Sequence, residues 1–335
     1  MSSMNIASSA GSARSFIEID SLEKTFHARG AGARGKGGFK AVDNVSLDIE
    51  RNSIFGLVGE SGCGKTTLSR AVLFLDPPTG GEIRIDGIDM RTLSASRLRT
   101  FRKRIQIVFQ DPNSSLNPKM SIENSIKEGL NNIKYAAGEP ERRAKLDNRV
   151  DELLALVGIT PGHKTRFPHE FSGGQKQRIV IARALSVEPD FLILDEPVSN
   201  LDVSIQAQII NLLLELKEKL SLTYLFISHD LNLVSYLSDK IAVMYKGQIV
   251  ESGNTERIMA EPVHPYTKKL FSAIPGVTRI DEEQELVFHV DEPGYSEGLP
   301  EGYCFYPSEL AEGEAQASPQ MLEINDGHSV ACFEA

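Results

Sequence analysis

The sequence lacks both the long apolar runs of a membrane-embedded protein and the cysteine content of a disulfide-stabilised one. No stretch of its 335 residues approaches the roughly 18 consecutive apolar residues that a membrane-spanning helix needs. Its three cysteines are too few for a disulfide framework and are typical of a reducing compartment. Residues 1–15 lack the apolar segment of a secretory signal. We therefore expect a protein that is neither embedded nor exported, with a disordered tail over residues 1–15.

An excess of basic residues is also missing. The formal net charge is −10, and the residues from 276 onward carry 14 acidic side chains and a single basic one, Arg279. The preceding part is therefore close to neutral, and no strongly basic face is expected. Because nucleic-acid binding needs such a face, we expect no nucleic-acid partner.

Short apolar runs alternate with helical patterns along much of the chain. The runs Ser53–Val58, Phe191–Leu194 and Leu222–Ile227 are typical of buried strands. Residues 203–220 carry apolar side chains on one face of a helix. Strands that alternate with helices favour parallel pairing, so the pattern predicts an α/β fold with a mostly parallel sheet.

Three regions interrupt this alternation. Residues 112–170 are polar and helical in character, which predicts a helical subdomain inserted into the α/β body. Residues 276–335, rich in Pro, Gly and Glu, form either a small acidic C-terminal extension with its own structure or a partly disordered one. The Gly, Arg and Lys run at 29–38 is typical of a flexible hairpin loop, with a basic phosphate clamp as the alternative.

A phosphate-binding loop is indicated at residues 59–66, whose sequence GESGCGKT matches G-x-x-x-x-G-K-[ST]. Glycines at 62 and 64 let the backbone wrap an anion, and the following helix directs its N-terminal N–H groups and positive dipole end at it. Lys65 would reach the β- and γ-phosphates, and the hydroxyl of Thr66 would bind Mg²⁺. The predicted nucleotide-binding residues of this loop are Gly59, Glu60, Ser61, Gly62, Cys63, Gly64, Lys65, Thr66 and Thr67.

Two carboxylates, Asp195 and Glu196, follow the apolar run that begins at Phe191. Alone, such a pair is more typical of a solvated loop. The carboxyl ends of parallel strands, however, are where ligands bind in open α/β sheets. Together with the phosphate loop, the pair predicts that Asp195 holds Mg²⁺ and that Glu196 orients or deprotonates an attacking water.

Further motifs stand in an order that resembles the ATP-binding-cassette (ABC) ATPases. They are Gln110 of a Q-loop, a signature sequence at 171–178 (FSGGQKQR), a D-loop at 199–202 (SNLD) and the switch histidine His229. The resemblance covers about residues 17–275. It implies a P-loop NTPase-type cassette over 16–275, with a mostly parallel core sheet, an antiparallel β portion at the N-terminal side and the inserted helical subdomain.

The resemblance also implies how catalysis is shared between two cassettes that sandwich ATP. Catalysis would fall to Glu196, His229 and Gln110, and Mg²⁺ would be held by Thr66, Gln110 and Asp195. Phe26 would stack on adenine, with Phe39 as a weaker alternative. The residues expected to reach across to the partner cassette or its ATP are Ser172, Gly173, Gly174 and Gln175 of the signature sequence and Asp202 of the D-loop.

Local sequences at 59–65, 110–118, 264–267 and 327–332 resemble the oligopeptide/dipeptide importer branch. That branch implies a second cassette (a different chain or a second copy), two membrane permeases, an extracytoplasmic substrate-binding protein and a location at the cytoplasmic face of the inner membrane. Nickel or sugar import within the branch, an exporter cassette, a soluble cassette acting on ribosomes or DNA, and a regulatory module without turnover remain alternatives.

Two departures from the family pattern stand out. Asn200 takes the place of the usual alanine in the D-loop. Some relatives carry four cysteines in the C-terminal extension that hold an iron–sulfur cluster, whereas only Cys304 and Cys332 are available here. Because such a cluster needs four thiolates, we expect none, and we expect ATP and Mg²⁺ to be the only cofactors.

Overall fold

The computed structural model describes residues 15–27, 38–130, 139–272, 295–305, 319–325 and 327–334. Its strands are β1 (Ile17–Phe26), β2 (Phe39–Ile49), β3 (Ile54–Val58), β4 (Gly80–Ile85), β5 (Ile88–Asp89), β6 (Ile105–Val108), β7 (Phe191–Asp195), β8 (Thr223–Ser228), β9 (Lys240–Tyr245), β10 (Gln248–Asn254), β11 (Tyr303–Cys304), β12 (Gln320–Asn325) and β13 (His328–Glu334). Its helices are α1 (Lys65–Val72), α2 (Ala95–Phe101), α3 (Pro112–Ser115), α4 (Ile122–Leu130), α5 (Glu139–Leu156), α6 (Gly173–Leu185), α7 (Val203–Leu220), α8 (Leu231–Leu237), α9 (Thr255–Ala260) and α10 (Pro265–Ser272).

The central sheet places β6, β7, β8, β3 and β9 side by side, with every neighbouring pair parallel. Its strands β3, β7 and β8 are buried along their whole length, because both faces of the sheet are covered by other elements. Alternate residues therefore enter two different cores: Ile54 and Val58 of β3 pack in one, and Phe55 and Leu57 in the other. This topology confirms the predicted α/β fold with a mostly parallel core sheet.

A second, antiparallel sheet has the strand order β2-β1-β4-β5. Its β1 and β2 alternate buried and exposed residues over much of their length, as expected for strands with one face on a core. The buried face packs over α1 and one face of the central sheet, in the core that contains Ile17, Val42 and Leu68. This sheet is the antiparallel β portion predicted at the N-terminal side.

Between 112 and 170 the described residues form α3, α4, α5 and two short 3₁₀ turns, and they contain no strand. Their apolar side chains, including Ile126, Val150 and Leu154, join the same core as Ile181 of α6. Within the part of the chain that is described, no helix is both long enough and apolar enough to cross a membrane.

The C-terminal residues extend the central sheet rather than lying apart from it. Strand β13 pairs antiparallel with β10, and β11 and β12 both pair with β13. Hydrogen bonds thus cross the boundary predicted at residue 275. The predicted disordered tail at 1–15 and the Gly-rich run at 29–38 fall outside the described residues, except for Ser15 and Gly38 at their edges.

Candidate active site

The phosphate loop connects the carboxyl end of β3 to the N-terminus of α1. Gly64 has a φ of 114°, and a Cβ placed there would lie 2.3 Å from the carbonyl oxygen of Ala41. A side chain is therefore excluded by both backbone conformation and space. The close approach lets the loop curl back beneath the start of α1, so that N–H groups of the first helical turn face the cleft.

Lys65 is buried, and its ammonium rests on the loop's own backbone. Nζ donates to the carbonyl oxygen of Gly59 at 2.7 Å and to that of Glu60 at 2.9 Å. These two contacts hold the cation over the loop, and no described carboxylate forms an ion pair with it. Burial raises the pKa of the Cys63 thiol, and the charge of Lys65 opposes that rise. A raised pKa argues against a reactive thiolate, so the predicted role of Cys63 is that of its backbone in the phosphate loop.

Asp195 ends β7 directly beside the loop. Its Oδ1 accepts a hydrogen bond from Thr66 Oγ1 at 3.4 Å. Burial raises the pKa of Asp195, the Thr66 hydroxyl opposes that rise, and the charge of Glu196 adds to it. A hydroxyl and a carboxylate side by side are the hard oxygen ligands that Mg²⁺ prefers, so this pair fits the predicted metal ion.

Glu196 points into the site from a strained backbone. Its φ is 49°, in the left-handed region that is rarely adopted by residues other than glycine. Its Oε2 lies 3.3 Å from His229 Nδ1, and the Glu196 side chain is 15% exposed against 57% for His229. The two residues leave neighbouring parallel strands, since the N–H of Glu196 donates to the carbonyl of Ile227 in β8. Strain of this kind is typical of functional sites.

A cleft of about 270 Å³ lies at this site; the phosphate loop and Glu196 line it, whereas Asp195 and His229 are not among the described residues that do. It is lined by residues of the phosphate loop, by Gln110 and Glu196, and by Phe26 and Phe39. Both aromatic rings are exposed, and their residues pair across β1 and β2. Both are therefore placed to contact a base. The lining residues are Phe26, Phe39, Ala41, Ser61, Gly62, Gly64, Lys65, Thr66, Thr67, Gln110 and Glu196.

The signature residues lie at the N-terminus of α6 and are not among the described residues that line this cleft. Ser172 is the N-cap: its Oγ accepts from the Gln175 N–H at 3.4 Å, and Gln175 Oε1 accepts from the Ser172 N–H at 3.0 Å. This capping box leaves Ser172, Gly173 and Gln175 exposed and Gly174 half-buried. The N-terminus of α6 therefore faces outward with free N–H groups. Such a helix end can bind an anion that belongs to another molecule.

The D-loop lies next to the signature helix and is also exposed. Asp202 caps α7 through its carbonyl oxygen, which accepts from the N–H groups of Ile205 and Gln206, and its carboxylate makes no capping bond. Asn200 is exposed as well, and the neighbouring Val203 is 82% exposed.

Tyr266 contacts the phosphate loop and was not among the predicted site residues. Its hydroxyl accepts a hydrogen bond from the N–H of Glu60 at 3.1 Å, across 206 positions of sequence. It belongs to the segment 264–267, which the sequence singled out only for its family resemblance. A tyrosine after His-Pro gives no local signal of such a contact.

This geometry defines a P-loop nucleotide-binding cassette: a phosphate loop, an acidic strand end and a histidine on adjacent parallel strands. Residues 42–199 match the family described as "ABC transporter", and residues 250–308 match "Oligopeptide/dipeptide transporter, C-terminal region".

Full-length relatives agree with both matches. The chain is 47% identical over 321 residues to the dipeptide transport ATP-binding protein DppF of Lactococcus lactis, covering 95% of this chain and 94% of that protein. It is 48% identical over 322 residues to the oligopeptide transport ATP-binding protein OppF of Streptococcus mutans, covering 96% of each. The chain therefore belongs to the ABC transporter ATP-binding proteins, in the oligopeptide/dipeptide branch, and is an ATP-hydrolysing transport ATPase.

Solved structures show the same fold. CbiO1 of Clostridium perfringens, part of an ABC transporter complex, is similar with a TM-score of 0.62 and 30% identity, covering 74% of this chain and 91% of that one. A dimeric ATP-binding cassette in a post-hydrolysis state with ADP and Pi has a TM-score of 0.61 and 29% identity, covering 71% and 98%. The predicted ABC cassette fold is confirmed.

Proposed function

We propose that this chain powers the import of dipeptides or oligopeptides by binding and hydrolysing ATP. The observation that carries the proposal is the cleft lined by both the phosphate loop and Glu196, with His229 3.3 Å from Glu196, in a chain whose C-terminal region matches that of peptide transporters. Relatives named for dipeptide and oligopeptide transport, aligned over nearly the whole chain, support peptides as the cargo.

ATP enters the cleft with its phosphates on the loop of residues 59–67. The N–H groups at the start of α1 and the Lys65 ammonium neutralise the phosphate charge. The base lies towards Phe26 and Phe39, which are both exposed on the cleft wall. Aromatic stacking there would hold the base by its face, without hydrogen bonds to its edge.

Mg²⁺ would be held by Thr66, Asp195 and Gln110, since the first two already place their oxygens 3.4 Å apart and Gln110 lines the same cleft. When bound, the ion neutralises charge that develops on the phosphates. The raised pKa of Asp195 means that its carboxylate is costly to ionise without a cation. Cation binding relieves that cost.

Glu196 acts as the base for the attacking water, and His229 holds the carboxylate in place. The 3.3 Å separation of His229 Nδ1 and Glu196 Oε2 lets the ring orient the carboxylate. A carboxylate beside the γ-phosphate position accepts the proton that water loses during attack. Gln110, on the loop after β6, connects this site to the helical region that begins at Pro112.

We infer that catalysis requires two cassettes. The signature residues 172–175 do not line this chain's own cleft, yet they present a capped helix N-terminus to solvent beside the exposed Val203. A partner cassette, either a second copy or a different chain, would bring its bound ATP to this N-terminus, and Asp202 would lie in the interface. The dimeric cassette among the similar structures supports this arrangement.

Ser172→Asp is expected to prevent ATP-driven pairing without destabilising α6. Aspartate caps a helix as well as serine does, but its charge would face the γ-phosphate of the partner's ATP. Both chains carry Glu196→Gln, so that bound ATP persists. ATP should then drive the chain with Ser172 into dimers, alone or with its companion cassette. Ser172→Asp should lower the affinity of this dimerisation at least about tenfold. Analytical ultracentrifugation measures the difference.

Ser94→Asp supplies the matched control, because Ser94 is also an exposed N-cap, that of α2. It should pair as the parent does. Normal pairing of Ser172→Asp, with an unchanged thermal midpoint, would show that the signature helix does not contact the partner's nucleotide.

The permeases would dock in a groove of about 1070 Å³ between the ATPase core and the helical region. Basic side chains dominate its lining: Arg70, Arg99, Arg102, Lys103 and Arg183, against one acid, Glu128. This charge suits an acidic cytoplasmic segment of a membrane partner. Docking there would place the chain at the cytoplasmic face of the inner membrane, with the substrate-binding protein on the opposite side.

Reconstitution with the companion cassette, both permeases and the binding protein tests the cargo. We expect dipeptides or oligopeptides to stimulate ATP hydrolysis several-fold, and nickel and sugars to have no effect. Arg99→Glu should reduce the stimulated rate and spare the basal rate, since Arg99 is exposed and makes no ion pair with a described residue. Stimulation by nickel or sugar alone, or failure to assemble with permeases, would contradict peptide import.

A further inference from the structure

One peptide group of the phosphate loop is held at both ends. Its N–H, that of Glu60, donates to the Tyr266 hydroxyl at 3.1 Å. Its carbonyl, that of Gly59, accepts from the Lys65 ammonium at 2.7 Å. Because a trans peptide is planar, with N–H and C=O pointing in opposite directions, the contact with Tyr266 sets the direction of the carbonyl. Tyr266 thereby orients one of the two carbonyls on which the Lys65 ammonium rests.

The Tyr266 ring is itself fixed. It is almost fully buried, and it stacks on Tyr245 with ring centroids 4.2 Å apart and an interplanar angle of 30°. Burial raises the pKa of the Tyr266 hydroxyl to about 12, so the group stays protonated at physiological pH. A rigid, neutral hydroxyl is well suited to hold a backbone amide in one orientation.

The segment that carries Tyr266 is held by buried polar groups. The Tyr266 N–H donates to His264 Nδ1 at 3.1 Å. Burial lowers the pKa of His264 to about 3, which keeps the ring neutral and lets Nδ1 accept. The Glu251 carboxylate accepts from the N–H groups of Val263 and His264 at 2.9 and 3.0 Å. These bonds fix the start of α10.

The C-terminal strands close this network from the other side. His328, the first residue of β13, lies with Nε2 2.7 Å from Glu251 Oε1, and both side chains are buried. Phe305 packs edge-on against the His264 ring, with centroids 5.0 Å apart. Two described segments of the C-terminal region, 295–305 and 327–334, therefore contact the segment between Glu251 and Tyr266.

We propose that Tyr266 is a positioning residue for the phosphate loop and that the C-terminal region, through His328 and Glu251, holds it in place. The C-terminal region would then support ATP binding through the phosphate loop, without touching the nucleotide. Its removal or displacement would loosen the loop and lower nucleotide affinity. The inference rests on ATP binding by the loop and is independent of the transported cargo.

Tyr266→Phe tests the central contact, since it removes only the hydroxyl. We expect the Kd for a fluorescent ATP analogue to rise about fivefold, the equivalent of one ordinary hydrogen bond of ~1 kcal/mol. In the assembled transporter, the KM for ATP should rise and kcat should change little. Tyr245→Phe is the matched control: it removes the same atom from the stacked ring, and that hydroxyl bonds to no described residue.

Hydrogen exchange at the Glu60 amide tests the contact without nucleotide. Exchange should quicken about tenfold or more in Tyr266→Phe and stay at the parent rate in Tyr245→Phe. The exchange rate tests the contact even if the parent binds no ATP. Failure of the parent to bind ATP would refute the proposed function, not the contact. Equal exchange and equal ATP affinity in parent and Tyr266→Phe would overturn the positioning role.

His328→Leu and His328→Gln test the link to the C-terminal strand. The leucine variant removes the partner of a buried carboxylate and should weaken ATP binding, whereas the glutamine amide can donate to Glu251 and should restore part of the affinity. Combined with Tyr266→Phe, His328→Leu should add little further loss, because both act through one path. Additive losses, or unchanged affinity in a folded His328→Leu variant, would contradict that path.

Discussion

Glu196→Gln is expected to lower the steady-state rate of ATP hydrolysis by about 1000-fold, within the range that a general base contributes, and to leave ATP binding intact. Glutamine has the same length and the same backbone preferences, so the left-handed conformation at φ 49° is unaffected. Only the proton acceptor is lost. Phosphate release and ATP affinity, measured on the same preparation, separate the two effects.

The same variant should be at least as stable as the parent. Glu196 raises the pKa of the buried Asp195 through its negative charge, and a neutral amide removes that repulsion. A lower rate with an unchanged or higher thermal midpoint would therefore exclude misfolding as the cause. Glu215→Gln is the control, because Glu215 is an exposed residue of α7 whose partner is Lys219 at 2.6 Å. Hydrolysis by Glu196→Gln at the control rate would refute Glu196 as the base.

The buried strands were the most predictable part of the fold. The run predicted as Phe191–Leu194 is β7 (Phe191–Asp195), and that predicted as Leu222–Ile227 is β8 (Thr223–Ser228). Both strands are covered on two faces, so an uninterrupted apolar run is the physical consequence of their position. The helix predicted over residues 203–220 has those bounds, because its amphipathic pattern is long.

The phosphate loop and the acidic strand end were predictable for a different reason. The chemistry predicted for both needs particular residue types at adjacent positions, such as the glycine at Gly64 and the lysine at Lys65. Their meeting in space followed from the parallel sheet, which places the ends of β3 and β7 on one edge. The roles assigned to the signature residues and to Asp202 stay predictions, because they require a second cassette.

The contacts of the C-terminal region could not be predicted. Tyr266 reaches Glu60 across 206 positions, and His328 reaches Glu251 across 77. No spacing rule joins such distant residues. The pairing of β13 with β10 was missed for the same reason, because the core contacts of β13 depend on tertiary structure. The expectation that no iron–sulfur cluster binds stays a prediction, although Cys332, whose pKa burial raises to about 11, is a poor thiolate.

Lys65→Met is expected to weaken ATP binding by about 100-fold, the equivalent of ~3 kcal/mol for two lost charge-assisted hydrogen bonds. Methionine keeps the buried aliphatic stem, so little core packing is lost. The ammonium donates to the carbonyls of Gly59 and Glu60, which hold it over the phosphate loop. Beside bound phosphates, no neutral side chain can replace its charge.

Isothermal titration of ATP into the parent and Lys65→Met, with Lys219→Met as the control at an exposed lysine of α7, measures this loss. Because Tyr266 orients the Gly59 carbonyl only to place the Lys65 ammonium, Tyr266→Phe should add almost nothing to the loss in Lys65→Met. A full fivefold further loss in the double variant would mean that Tyr266 acts on the loop independently of Lys65. Parent-like affinity in a folded Lys65→Met would show that the loop binds phosphate through its backbone alone.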